Sequence, residues 1–587
     1  MSTKPNKKNQ ESESLQEQII KLEKQLESFK HSNEHFLKNK LFLHYDIKEP
    51  EKVVVDCETK LPVIAEYEKK KIQKGKESDP THLIIEGDNY HALSVLNYTH
   101  AGKVDLIYID PPYNTGNRDW KYNNDYVDAE DSFRHSKWLS FMSSRLRLAK
   151  NLMRDDGFIV CAIDHYELFY LGILMDTVFG EENRLGIVAV VHKAEGRNQE
   201  KFFGTSHEYM LFYAKNKTLS KFNKTVLDAD IQATFNLKDA EGSYRLNNYL
   251  RSGGGDQNLR VNKPHFFYPI YVSKDLKHIT LESKSGYEKI LPITNSGQER
   301  TWKTVKETFL DRLDAAQIVA DRDQNNKIQI YEKYRENQVI KTHWVDPKYH
   351  AIHYGTKLIE KILGEKKFDF PKSLYLLIDT LKLTTKKDSI VLDFFAGSGT
   401  TGHAVLKLNA QDGGTRQFIL CTNNENKIAE DVTYPRIKKV IDGYGDNAPI
   451  PSNFRYFQTD FVEKKGSVSQ LKIDLTRKCA EMLCVKENVF EAVKIKKTTK
   501  NYKLFKNGDK YLGVFFDFFT DPEFTDFIKE LNALPKEAEK AVYVFVLDGS
   551  AGILADEFAG VANCEVKEIP QKILDIYKQL AREASRK

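Results

Sequence analysis

The sequence predicts an α/β fold, and two apolar runs carry that prediction. Residues 104–109 form a short run rich in strand-forming residues, which Pro111 and Pro112 stop. Such a run is typical of a buried parallel strand that opens into a loop. Residues 390–392 form a second apolar run, followed by the glycine-rich residues 396–402 and then an amphipathic stretch. A strand, a glycine turn and a helix in this order are characteristic of a doubly wound sheet.

Length and composition limit the class of protein. The 587 residues predict several domains, and a hydrophobic content of 40% supplies real cores. The net charge of +5 is small, so a nucleic-acid surface would need local clustering of basic residues. The six cysteines lack the short paired spacings of a disulfide framework or a structural zinc site. Long uncharged apolar stretches and an apolar leader are also absent. We therefore expect a cytoplasmic protein with no metal site and no membrane segment.

Residues 1–45 predict a disordered start and one amphipathic helix. Apolar residues recur at alternating spacings of four and three from Leu15 to Phe36, with Asn33 at a position that would face a partner helix. This pattern predicts a short coiled coil and hence a homodimer. A single helix packed on its own protein is the alternative.

Residues 46–219 form the first half of the predicted core. An apolar run at 83–85 leads to Asp88, an amphipathic stretch follows, and the run at 104–109 comes next, which makes a strand–helix–strand unit. Residues 114–127 are expected to form a functional loop, and residues 157–164 another buried strand.

Asp110, Pro111, Pro112 and Tyr113 are the candidate catalytic residues. Asp110 can accept a hydrogen bond from an amino group, and the prolines stiffen the turn and leave carbonyl acceptors. Tyr113 offers a flat face. Together they suit a planar base with an exocyclic amino group, turned out of a nucleic-acid stack. A strand that simply ends in a capped Pro-Pro turn is the alternative.

Residues 220–350 have a different texture, rich in tyrosine, asparagine and lysine. Basic residues interleaved with aromatic ones suit contacts to phosphates and bases, although an ordinary solvated insertion has the same composition. The candidate DNA-binding residues are Arg251, Arg260, Lys263, Arg300, Trp302 and Lys303.

Residues 351–450 form the second half of the core. The glycines remove the Cβ barrier, so backbone N–H groups can approach a ligand. The spelling also satisfies the dinucleotide pattern, and a further strand at 417–421 leads to Glu425, near where ribose hydroxyls would lie. Residues 455–587 predict a separate, smaller α/β domain for assembly, with strands near 512–516 and 542–547 and a proline-started helix from Ile569.

The two motifs together resemble those of the β-class DNA amino-methyltransferases, which use S-adenosylmethionine. The resemblance rests on residues 110–113 and 393–401 with the insertion between them. More narrowly, residues 87–89, 107–116 and 368–373 are similar to the modification subunits of type III restriction-modification systems. The resemblance covers residues 80–450. It implies a Rossmann-like S-adenosylmethionine-dependent core with an inserted target-recognition region.

The resemblance also implies roles for individual residues. Asp110 and the Pro111 carbonyl would accept hydrogen bonds from the adenine amino group, and Tyr113 would stack on the flipped base. Glu425 would bind ribose. An acid would be expected one or two positions nearer the strand end, where this sequence has Asn423 and Asn424. The residues implied to contact the cofactor are Asp88, Lys372, Asp393, Phe395, Ala396, Gly397, Ser398, Gly399, Thr400 and Glu425. For Asp88 and Lys372, a cap or a surface ion pair is the alternative.

The resulting expectation is a site-specific methyltransferase acting on adenine N6 in double-stranded DNA, the modification subunit of a restriction-modification system. A separate helicase or nuclease subunit would do the cutting, because this chain shows no motif for it. The alternatives are a cytosine-N4 methyltransferase, an RNA adenine methyltransferase and a catalytically inactive DNA-binding subunit.

Overall fold

The computed structural model describes residues 51–585 except for residues 124, 197–201, 224–232, 252, 254, 336–339, 496–500, 518–521 and 548–555. The predicted coiled coil, and the homodimer inferred from it, lie outside the described residues. Within these ranges, no helix is long and apolar enough to cross a membrane.

One large mixed sheet forms the centre of the protein. From Asn453–Glu463 to Met153–Ile163 every neighbouring pair is parallel, and His207–Ala214 then runs antiparallel to both of its neighbours. A short strand, Ile72–Gln73, pairs with Asn453–Glu463 beside the main path. The order across the sheet is Lys60–Glu66, Asn453–Glu463, Thr81–Glu86, Gln417–Thr422, Ile390–Asp393, Val104–Ile109, Met153–Ile163, His207–Ala214, Arg184–Val191 and His343–Trp344.

Helices cover both faces of this sheet. Along Val104–Ile109, Ile107 and Ile109 pack into one core while Leu106 and Tyr108 pack into the other. A strand buried on both faces reads as a continuous apolar run, which is why the sequence identified it. The helices of this region are Lys52–Thr59, Asn89–Thr99, Arg134–Leu152, Leu168–Phe179, Lys357–Leu363, Leu374–Thr384, Thr400–Asp412 and Tyr434–Asp442.

The two predicted halves of the core meet at the middle of the sheet. Val104–Ile109 pairs in parallel with Ile390–Asp393, and Leu392 lies opposite Ile107. Both strands therefore end at the same edge, which brings the Asp110 loop beside the glycine-rich loop after Asp393. Ligands of open α/β sheets bind at this edge.

The insertion folds around its own core, which includes Tyr249, Tyr268, Trp302 and Phe309. It is narrower than the predicted 220–350, because Asn223 donates to the Leu383 carbonyl of the core and His343–Trp344 joins the large sheet. Its described residues include the α-helix Lys306–Asp314 and the strands Leu237–Asp239, Gly242–Asn248, Leu250–Arg251, Ile270–Val272, Ile279–Thr280, Glu288–Ile290, Thr301–Trp302, Ile318–Arg322 and Ile328–Arg335.

The C-terminal region has a second, smaller sheet. Its strand order is Glu491–Ala492, Tyr502–Asn507, Lys510–Phe515, Glu539–Phe545 and Cys564–Ile569, and its helices are Val468–Lys478, Ala480–Glu487, Pro522–Ala533 and Gln571–Ser585. This region is less separate than predicted. Asn453–Glu463 crosses the expected boundary at 455 and belongs to the large sheet. The Tyr577 hydroxyl also donates to the Pro62 carbonyl, so part of this region packs directly on the core.

Candidate active site

The Asp110 loop is held from three sides. Trp138 Nε1 donates to the Pro112 carbonyl at 2.8 Å. Asn114 is fully buried at a φ of +54°, and its Nδ2 donates to Glu167 Oε1 at 2.6 Å while its Oδ1 accepts from Trp120 Nε1 at 2.9 Å. Part of the segment 114–127, which the sequence predicted as a functional loop, instead forms a hairpin of the strands Asn117–Tyr122 and Asp125–Asp128. Its buried aromatic residues fix the turn that follows Asp110.

Asp110 has two carboxylate oxygens in different surroundings. Oδ2 accepts a hydrogen bond from Lys372 Nζ at 2.7 Å. Oδ1 is buried and has no hydrogen-bond partner among the described residues. Burial raises the pKa of Asp110 above its usual value, and the Lys372 ammonium opposes that rise. A buried acceptor without a donor is costly, so this oxygen is ready for a donor from outside the protein.

Tyr113 is positioned by a residue that the sequence did not reveal. Its hydroxyl donates to Glu208 Oε2 at 3.0 Å, and Lys372 Nζ lies 3.4 Å from the same oxygen. Glu208 is buried near the start of His207–Ala214. That strand runs antiparallel to Met153–Ile163, so its first residues lie at the edge where the parallel strands end. No motif marks Glu208, because only the sheet order brings it to Asp110.

Lys372 lies beside Asp110 and Glu208. Ser373 caps the helix Leu374–Thr384, and Gly355 lets the Pro371 carbonyl approach so closely that a Cβ there would sit 2.2 Å from the oxygen. Burial alone would lower the pKa of the Lys372 ammonium, but Asp110 and Glu208 together raise it to about 12. Lys372 is therefore a buried cation shared by two carboxylates, and the surface ion pair weighed from the sequence is excluded.

The glycine-rich loop follows the buried Asp393. Gly397 and Gly399 adopt φ values of +47° and +75°, which favour glycine. Asp393 accepts hydrogen bonds from the Phe395 amide and the Thr401 hydroxyl, and burial raises its pKa to about 7. The main chain of 395–401 is thus folded around one side chain.

A buried arginine, Arg436, holds the same loop through hydrogen bonds. Arg436 donates to the Ser398 carbonyl at 3.2 Å and to the Thr400 hydroxyl at 2.8 Å. Ala396 is buried, and its amide donates to the Cys421 carbonyl. These contacts leave Phe395 and Gly397 as the partly exposed residues of the loop.

Asp88 both caps a helix and pairs with a buried arginine. It accepts from the Tyr90 amide at 2.7 Å and lies 3.2 Å from Arg145 Nη2. Arg145 is fully buried and also binds Glu51 through both of its terminal nitrogens at 2.8 Å. Asn89, which accepts from Arg145, donates to the Phe394 carbonyl at 3.0 Å. The network ties the Asp88 turn to the start of the glycine-rich loop.

Glu425 is half exposed just beyond the strand Gln417–Thr422, and Lys121 Nζ lies 3.3 Å from its Oε1. It lies at the strand edge where the sequence placed it. The hairpin lysine that contacts it had no predicted role in the site.

The five predicted basic residues of the DNA-binding set contact partners within the insertion itself. Arg260 pairs with Glu299 at 3.0 Å, and Lys303 pairs with Glu332 at 2.6 Å. Arg251 donates to the Lys303 carbonyl, Arg300 to the Gly255 carbonyl and Lys263 to the Asn258 side chain. Trp302 corrects one expectation, because its side chain is buried and its Nε1 donates to the Tyr268 carbonyl. It is a core residue of the insertion and is not placed to contact a base.

No group of three or more histidine, cysteine, aspartate or glutamate residues in the described part of the chain is arranged to hold a metal ion.

Comparison with known proteins identifies the family. The model of the N6/N4 methyltransferases, described as "DNA methylase", matches residues 104–432. The type II methyltransferase M.KpnI of Klebsiella pneumoniae is 34% identical over 61% of this chain and 88% of its own length. The Mod subunit of the type III restriction-modification enzyme EcoPI from Escherichia phage P1 is 32% identical over 60% of this chain, which spans 59% of that relative.

Among solved structures, the M1.HpyAVI–SAM complex is similar over 62% of this chain and 99% of its own, at 14% identity and a TM-score of 0.29. The family match spans both motif regions and the insertion between them. The chain belongs to the N6/N4 DNA methylase family.

Proposed function

We propose that this protein transfers a methyl group from S-adenosylmethionine to the N6 amino group of adenine at a specific site in double-stranded DNA. Membership of the DNA methylase family supports the reaction class. The observation that carries the proposal is Asp110 Oδ1, a buried acceptor with no partner among the described residues, at the end of a parallel strand. An amino N–H is a donor that would satisfy it.

Asp110 prepares the amino nitrogen for attack. The lone pair of an adenine amino group is delocalised into the ring, which makes the nitrogen a poor nucleophile. Acceptors placed on its two hydrogens, Asp110 Oδ1 and the Pro111 carbonyl, favour a pyramidal nitrogen with an available lone pair. Tyr113 would hold the base by stacking, and this positioning contributes to the rate because bound, aligned reactants react as one molecule.

The residues around the glycine-rich loop fit S-adenosylmethionine. Gly397 and Gly399 hold the backbone in conformations that a side chain would strain, so the loop can lie against a ligand. Phe395 presents a partly exposed ring, Glu425 would bind ribose hydroxyls, and Asp88 would contact the cofactor from the neighbouring turn. When bound, S-adenosylmethionine would supply the methyl group and leave as a neutral thioether. The proton lost by the amino nitrogen would pass to Asp110 Oδ1, the acceptor beside it, and from there to solvent.

We further propose which base is methylated and to which kind of restriction-modification system the protein belongs. Aspartate at the first position of the motif favours adenine N6 over cytosine N4, by resemblance to related enzymes. The likeness to the EcoPI Mod subunit supports a modification subunit that works with a separate restriction subunit. The likeness to M.KpnI makes a free-standing methyltransferase the alternative. A homodimer, target recognition by the insertion within residues 220–350 and assembly through the C-terminal region complete the proposal.

The test is transfer of labelled methyl from S-adenosylmethionine to DNA from an unmodified host, followed by nucleoside analysis and mapping. The expected product is N6-methyladenine confined to one short sequence. If the product were N4-methylcytosine instead, the target base would be cytosine and not adenine. Methylated RNA with unmethylated DNA would overturn the proposed substrate.

A further inference from the structure

We propose that Glu208 is a positioning residue for methyl transfer, which holds the Tyr113 hydroxyl and the Lys372 ammonium so that Asp110 Oδ1 and the Tyr113 ring stay in place for the incoming base. This inference rests on the proposed function and identifies a residue that positions the groups of that site.

Glu208 contacts both Tyr113 and Lys372. Glu208 Oε2 receives the Tyr113 hydroxyl at 3.0 Å and lies 3.4 Å from Lys372 Nζ, while Lys372 donates to Asp110 Oδ2 at 2.7 Å. The same ammonium lies 4.9 Å from the centre of the Tyr113 ring. One glutamate thus connects the aromatic ring that would stack on the base with the lysine that occupies one oxygen of Asp110.

The contact between Glu208 and Lys372 is shielded from water. The side chains of Glu208 and Lys372 are 8% and 11% exposed, so water screens their interaction only weakly. A carboxylate in such a place is costly unless it is paired. If Glu208 were neutral, Asp110 would be the one carboxylate holding the Lys372 ammonium from the described part of this site. The Tyr113 hydroxyl would also lose its anionic acceptor.

The ionisation of Asp110 depends on the ionisable groups that surround it. Lys372 and Glu208 come from distant parts of the chain, the first before the helix Leu374–Thr384 and the second from the strand His207–Ala214. The other groups are Tyr113 in the same loop, Tyr108 in the preceding strand and Asp393 at the end of the neighbouring strand. Burial is the largest cause of its raised pKa; Lys372 lowers the pKa and Glu208 raises it. Neutralising Glu208 should therefore lower the pKa of Asp110.

The experiment compares Glu208→Gln with Glu182→Gln, an exposed glutamate before the strand Arg184–Val191. Glu208→Gln is expected to lower the single-turnover rate about 10- to 100-fold through misplacement, with little change in the KM for S-adenosylmethionine. The acidic limb of its pH–rate profile should move to lower pH. Glu208→Asp should restore part of the rate, and Tyr113→Phe combined with Glu208→Gln should cost less than the product of the single effects.

A second readout needs no turnover. With 3-fluorotyrosine at position 113, the fluorine resonance of the DNA-free protein should shift or broaden in Glu208→Gln and stay unchanged in Glu182→Gln. An unchanged resonance in Glu208→Gln would overturn the inference whatever the activity. So would a normal rate with an unmoved acidic limb. Failure of the wild-type protein to methylate DNA would instead contradict the proposed function, while the resonance would still decide the position of Tyr113.

Discussion

Lys372 Nζ donates to Asp110 Oδ2 at 2.7 Å across 262 positions of sequence, so one hydrogen bond joins the two halves of the core that the insertion separates in the chain. The bond occupies one carboxylate oxygen and leaves Oδ1 for a donor from outside. The lysine thereby sets the charge of the site and the orientation of its acceptor.

Removing this ammonium should impair both stability and methyl transfer. In Lys372→Met the partly buried Asp110 and the buried Glu208 lose their shared cation, and breaking a buried ion pair costs up to about 3 to 5 kcal/mol. Denaturant unfolding should show this loss, and the acidic limb of the pH–rate profile should move to higher pH because Lys372 lowers the pKa of Asp110. Lys366→Met, an exposed lysine paired with Asp369, is the control. Equal stability of the two variants would contradict the buried pair.

The pair His135 and Glu167 should make stability depend on pH. Burial raises the pKa of Glu167 to about 8 from 4.5 and lowers that of His135. At Glu167 the folded state therefore binds more protons than the unfolded state between pH 4.5 and about pH 8, and the contribution of Glu167 to stability falls as pH rises through that window. Glu167→Gln removes this contribution, so its stability relative to the wild type should increase from pH 5 to pH 8.5.

Urea unfolding at several pH values measures the Glu167 effect, and Glu182→Gln supplies the baseline. A difference between Glu167→Gln and the wild type that stays constant with pH would show that Glu167 titrates normally.

Arg145 should be required for the cofactor side of the site. In Arg145→Met the carboxylates of Glu51 and Asp88 lose their buried partner, with a cost of about 3 to 5 kcal/mol. Calorimetry should show weaker binding of S-adenosylmethionine, because the Asp88 turn is released. Arg147→Met, an exposed position on the same helix, should leave both quantities unchanged. Equal cofactor affinity in the two variants would remove Asp88 and its network from the cofactor site.

Arg260 tests the insertion as the DNA-binding region. It is exposed and paired with Glu299, so it could exchange this partner for a phosphate. Arg260→Ala should raise the Kd for DNA and reduce the salt slope by about one. Lys277→Ala, another exposed position of the insertion, is the comparison. The same salt slope in both variants would argue against a phosphate contact at Arg260.

The sequence was sufficient for the two strands that carry the motifs, because each is buried on both faces and ends in proline or glycine. It was also sufficient to bring Asp110 and the glycine-rich loop to one edge, since parallel strands share the edge at which they end. Lys372 was placed in the site only through resemblance, and its contact with Asp110 required the structure.

Other features could not have been read from local patterns. Glu208 reaches the site because its strand is antiparallel and lies second from Val104–Ile109, which is a property of sheet order. Trp302 and the hairpin after Asn114 were assigned by composition, and burial decides their roles. The strand Asn453–Glu463 lies beyond the second motif region, so its place in the large sheet depends on long-range pairing with Thr81–Glu86.

The most direct test of the central claim is methyl transfer by Asp110→Ala under single-turnover conditions, with DNA and cofactor binding measured on the same preparation. We expect near-normal Kd values for DNA and S-adenosylmethionine and no detectable N6-methyladenine, because the buried acceptor for the amino group is gone. N6-methyladenine formed at a rate close to that of the wild type would contradict the role of Asp110 and with it the proposed mechanism.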